Sequence, residues 1–140
     1  MEEMSIEYWN ALANQLIIIS SLLSGFTIAV IANLLVSDRN TRLFRIIMIA
    51  AVLAASFFLI TLFANTKVLI MSTNGYPFKM TEKGLVNFSL IGSISLYLGI
   101  MSLITIVVLA GWTKSKKMGI FTTLIGILTF AIILLMLNLN

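Results

Sequence analysis

Tyr8-Trp9-Asn10-Ala11-Leu12-Ala13-Asn14-Gln15-Leu16-Ile17-Ile18-Ile19-Ser20-Ser21-Leu22-Leu23-Ser24-Gly25-Phe26-Thr27-Ile28-Ala29-Val30-Ile31-Ala32-Asn33-Leu34-Leu35-Val36-Ser37 has no charge between Glu7 and Asp38. A helix crosses the hydrocarbon core of a bilayer with about 20 residues, so this run spans a membrane with turns to spare. It is also the most polar of the apolar runs in the chain. Asn10, Asn14, Ser21, Gly25, Ala29 and Ala32 or Asn33 recur at helical spacing along one face. Small and polar side chains on one stripe of a membrane helix face protein or water rather than lipid. The first helix is therefore read as the functional centre and the other segments as its packing.

The remaining charges divide the chain in the same way. Arg45 and Lys67 bracket a second uncharged stretch, Lys83 and Lys114 a third, and no charge follows Lys117. Four spans are expected, at about 12–36, 46–66, 85–112 and 118–137. Hydrophobic residues make up 60% of the chain and charged residues 10%, with a mean hydropathy of +1.10; a soluble domain carries far more charge. A soluble helix also needs a polar face, and Met118–Leu137 has only Thr122, Thr123 and Thr129 to offer. Strands of a membrane barrel alternate apolar and polar residues, whereas these runs are continuously apolar. The expected class is an all-α integral membrane protein, one membrane domain over residues 1–140, with four transmembrane helices assembled into a homo-oligomer around the first.

The chain has no His and no Cys, which removes disulfides, thiol nucleophiles, the imidazole base and the usual soft-metal ligands. Its carboxylates, Glu2, Glu3, Glu7, Asp38 and Glu82, all lie outside the spans and form no catalytic pair. No enzyme activity, cofactor, metal site or nucleic-acid partner is expected. The acidic opening Met1–Glu7 lacks the basic start of a signal peptide, so the first span is expected to stay in the mature chain, with Tyr8 and Trp9 as interface anchors.

Further along, the second span carries Ala50, Ala51, Ala54, Ala55 and Ser56, small enough for close helix approach, with Ala51 and Ala55 as packing candidates. Its Thr61, Asn65 and Thr66 read as an interfacial helix end, or else as a polar extension of a cavity. Asn74-Gly75-Tyr76-Pro77 signals a turn in the longest connection. In the third span, Ser89/Ser93 and Ser95/Gly99 have small-xxx-small spacing, which makes Ser89, Ser93 and Gly99 packing candidates. Trp112 closes that span, and Lys114, Lys116 and Lys117 form a basic cluster that is either a contact for anionic lipid head groups or a topology signal. The fourth span, with Gly119 and Gly126 its small positions, reads as the most lipid-facing. Arg39, Arg42 and Arg45 with Lys114, Lys116 and Lys117 place six cations on one side against three (Lys67, Lys79, Lys83) on the other. That count favours both termini outside.

Ser21-Leu22-Leu23-Ser24-Gly25-Phe26 resembles the first transmembrane helix of the Orai family of calcium channels, and Val107-Val108-Leu109-Ala110-Gly111-Trp112 is similar to the end of that family's third span. The resemblance covers two of the four helices. It implies an oligomer with the first helix of each subunit lining a central pore, with Leu22, Phe26 and Ala29 as apolar pore positions and Gly25 as a flexible point. It also implies both termini in the cytosol, opposite to the charge count. Asn33 stands where the family has its selectivity glutamate, and Asn10 and Asn14 replace its basic inner end. An asparagine ring offers amide dipoles where carboxylates would coordinate a divalent cation.

Two functions follow. In one, Asn10, Asn14, Leu22, Gly25, Phe26, Ala29 and Asn33 line an oligomeric, weakly selective cation pore. In the other, the chain is a non-conducting anchor or accessory subunit and the same stripe packs against the Ala-rich second helix or the Ser/Gly-rich third. A coupled transporter would place charges or broken helices at mid-membrane, and no span here has a charge or a proline. Membrane lipids and further copies of the chain are the expected partners.

Overall fold

The computed structural model describes residues 6–37, 41–73, 76 and 82–138. Among them the regular elements are four helices: α1 (Ile6–Val36), α2 (Arg42–Met71), α3 (Glu82–Lys114) and α4 (Lys116–Asn138). Each contains a stretch long and apolar enough to cross a membrane. In lipid every backbone N–H and C=O must be satisfied within the segment, and a continuous apolar run does that as a helix. The chain is thus an all-α membrane protein with four spans.

The helices outrun the apolar stretches that announce them. α1, α2 and α3 contain 31, 30 and 33 residues. At ~1.5 Å per residue that is about 45–50 Å, against a hydrocarbon core of about 30 Å. The excess tilts the helices or carries their ends into the head-group region. Hydroxyl caps set two of the starts. Thr41 Oγ1 accepts from the Phe44 amide at 3.3 Å, and Ser115 Oγ accepts from the Met118 amide at 3.2 Å. Ser115 is the only residue between α3 and α4, so Lys114, Lys116 and Lys117 are helical residues rather than a basic loop. Of the expected Asn74–Pro77 turn only Tyr76 is among the described residues, its amide donating to the Thr73 carbonyl at 3.3 Å; Asp38, Arg39 and Lys79 lie outside them.

The chain divides into two compact units, Met1–Phe26 with Ala55–Gly99, and Thr27–Ala54 with Ile100–Asn140. In the first unit Ala13, Val68, Met71 and Leu85 form an apolar cluster, packed round by Trp9, Leu69, Tyr76 and Phe88. Phe58 is fully buried and lies so close to Gly99 that a β-carbon there would meet its ring at 2.7 Å. In the second unit α2 buries Ile47, Ala50, Ala51 and Ala54, and α3 meets α4 through glycines. Gly111 faces Thr122, Gly119 faces the Trp112 indole and Gly126 faces Val108, each too closely for a side chain. Thr122 Oγ1 donates across to the Val108 carbonyl at 3.1 Å, and Trp112 Nε1 donates to Thr123 Oγ1 at 3.1 Å.

Burial ranks the helices. The apolar window of α2 is 39% buried, against 17% for α1, 22% for α3 and 11% for α4. The helix richest in alanine sits deepest because small side chains let neighbouring backbones approach. α4, whose span beyond Lys117 has only threonines for polar residues as far as Leu137, can face lipid along most of its surface.

Candidate functional site

Two small-residue stripes run along α1, and they point in different directions. Ala13, Ser20, Ser24 and Thr27 are buried. Ser20 Oγ donates to the Leu16 carbonyl at 2.6 Å, a local bond that lets a hydroxyl lie inside at little cost. The residues after the first three, Asn14, Ser21 and Gly25, are exposed. One residue step turns a helix by about 100°, enough to move a side chain from the interior to the surface. A β-carbon added at Gly25 would meet nothing within 4 Å. Leu22 and Phe26, which flank this stripe, are 68% and 61% exposed. Farther along α1, in the second unit, Ala29, Ala32 and Asn33 are exposed as well.

Asn10 departs from this exposed face. It is half-buried, and its Nδ2 donates to Ser72 Oγ, itself buried, at 3.2 Å. The α1 stripe therefore does not pack as a whole against α2 or α3 of its own chain. Asn10 turns inward, while Asn14, Ser21, Gly25 and Ala29 are left on the surface.

The second polar feature of the first unit is inside it. Thr61 and Asn65, at 0% and 1% exposure, lie well before the end of α2 at Met71, so they are interior residues rather than an interfacial helix end. Thr61 Oγ1 donates to the Phe57 carbonyl at 2.9 Å and to the Gly92 carbonyl of α3 at 3.2 Å. Asn65 Nδ2 donates to the Thr61 carbonyl at 2.8 Å. A β-carbon at Gly92 would meet Asn65 Nδ2 at 2.7 Å. Polar groups, glycine and close backbone approach depend on one another here, so this node locks α2 to α3.

The packing candidates fall on both sides of the surface. Ala51, Ala55 and Gly99 are buried, Ser89 is half-buried and Ser93 is exposed. The buried small residues of α3 in this unit are Gly92, Ser95 and Gly99, at i, i+3 and i+7. That spacing is present in the sequence beside the Ser89/Ser93 pair, and Gly92 could have been found through it. Ser20, Ser24 and Thr27 are a similar omission.

The second unit has a cleft of about 750 Å³ lined chiefly by apolar side chains of α1, α2 and α3, among them Val30, Leu34, Phe44, Ile47 and Ala110. Polar groups enter its wall at Asn33, Ser37, Thr41 and Thr113, and Trp112 forms part of one side. Asn33 thus belongs to a cleft of its own chain as well as to the exposed side of α1. The cationic side chains Arg42, Arg45, Lys114, Lys116 and Lys117 are all exposed, and the first three are next in sequence to a cleft-lining residue. No protein-family model, curated protein or solved structure matches the chain.

Proposed function

We propose that the chain is a subunit of an oligomeric membrane pore in which copies of α1 meet around an axis. The observation that carries this is the uncharged stripe Asn14, Ser21 and Gly25, left uncovered by the chain itself. An amide held against lipid is costly, and that of Asn14 is satisfied either by water in a lumen or by a second helix. The resemblance of Ser21–Phe26 to the first Orai helix supports the same arrangement. In such a pore Asn14 and Asn33 supply amide dipoles without charge, which passes small cations with little discrimination, and Leu22 and Phe26 gate by excluding water.

The second reading is a non-conducting accessory subunit whose exposed stripe binds a partner's helix. The open space beside Gly25 favours it, since close helix contact uses such positions.

The chain has no cysteine, so single cysteines at Asn14, Ser21, Gly25 and the buried control Ser24 discriminate directly. In liposomes, oxidation should cross-link the copies through the first three and not through Ser24. A charged thiol reagent should change ion flux through the Asn14 and Gly25 variants while leaving the parent unaffected. Cross-linking without flux under any ion or voltage would leave the accessory reading, and neither would end the pore reading.

A further inference from the structure

The cleft of the second unit lies where positive charge collects. α2 begins with Arg42 and carries Arg45 one turn in, while α4 begins with Lys116 and Lys117; neither first turn contains an acidic residue. Cations in the first turn of a helix oppose its dipole. Lys114 adds another charge at the end of α3. Asp38 is the only acid in the connection between α1 and α2, and it stands beside Arg39. The cleft wall itself is apolar, with Asn33, Ser37, Thr41 and Thr113 as its polar groups and Trp112 at one side.

An occupant must therefore combine an apolar body with an anionic end. We infer that the cleft holds an anionic phospholipid of the bilayer, an acyl chain lying against Val30, Leu34, Ile47 and Ala110 and the phosphate among Arg42, Arg45 and Lys114. Ser37, Thr41 and Thr113 of the wall meet the glycerol and ester oxygens. Basic residues at a membrane surface each favour anionic lipid, and the cleft turns that general attraction into a place for one molecule. This inference does not depend on conduction.

Trp112 reports on the site directly. The chain has two tryptophans, so Trp9→Phe leaves Trp112 as the fluorophore and Trp112→Phe leaves Trp9. Each protein is reconstituted in vesicles of phosphatidylglycerol and phosphatidylcholine at equal mole fraction, with one lipid or the other brominated in its acyl chains to quench nearby indole. Brominated phosphatidylglycerol should quench Trp112 with an apparent affinity about fivefold above that of brominated phosphatidylcholine. Trp9 should be quenched alike by both. In the Trp9→Phe background, Ala110→Phe, which fills the cleft from an exposed position, should abolish the preference. So should the surface variant Lys114→Gln with Arg42→Gln and Arg45→Gln, whose circular dichroism should match the parent's. Equal quenching of Trp112 by the two lipids would overturn the inference. A preference that survives in a folded Ala110→Phe protein would also overturn it, because the charges would then act on the surrounding lipid without the cleft.

Discussion

Thr61, Asn65 and Gly92 on one side, and Asn14, Ser21 and Gly25 on the other, are almost the same kit: one amide, one hydroxyl, one glycine. Their surroundings are opposite. In the first set the hydroxyl and amide bonds close inside the protein and the glycine is pressed against the asparagine. In the second the residues are exposed, and the glycine has open space beside it. The lesson is that a polar residue in a membrane helix is not yet a site. A satisfied interior group holds helices together, whereas one the chain leaves uncovered must meet something else.

The interior set can be broken hardest through its apolar neighbour. Phe58→Ala removes the ring that fills the space over Gly99 and should cost about 3–5 kcal/mol, read as unfolding in mixed micelles by circular dichroism. Gly92→Val should come next, at about 1–3 kcal/mol from overpacking. Adding Asn65→Ala should recover part of that loss, because the clash is with the asparagine amide; strict additivity of the two losses would show that Gly92 serves another neighbour. Thr61→Val deletes the bond to the Gly92 carbonyl and should cost about 1 kcal/mol. The smallest effect on stability belongs to the exposed set. Gly25→Leu should stay within about 0.5 kcal/mol of the parent while lowering the cross-linking yield from a cysteine at Ser21. If Gly25→Leu unfolds the protein as readily as Gly92→Val, the contrast between the two sets fails.

Much of the fold was legible before any coordinates. Charges at Glu7, Asp38, Arg45, Lys67, Lys83 and Lys114 mark off the apolar runs, and a run that is continuously apolar, without the alternation of a barrel strand, crosses a bilayer as a helix. The low burial of α4 was legible too, since its span from Met118 to Leu137 has three threonines and no stronger polar group. Helix ends were less so. α1 begins at Ile6 and α3 at Glu82, each ahead of its apolar run, because a helix does not stop where its side chains turn polar. The cleft was not legible at all, since it is lined from three helices whose meeting depends on packing.

The clearest division between sequence and structure lies within α1. Composition and periodicity alone establish that this helix crosses a membrane and that it carries small and polar residues at helical spacing. They do not say which of two such stripes is inside, for Ala13-Asn14, Ser20-Ser21 and Ser24-Gly25 place near-equivalent residues side by side. Each stripe has the spacing that close helix packing uses, so one-helix periodicity fits both. The choice is made by the partners, because only a neighbouring helix distinguishes two faces about 100° apart. In the folded chain Ala13, Ser20 and Ser24 are buried and Asn14, Ser21 and Gly25 are left outside. The tertiary structure thereby decides which residues hold the protein together and which remain available for function.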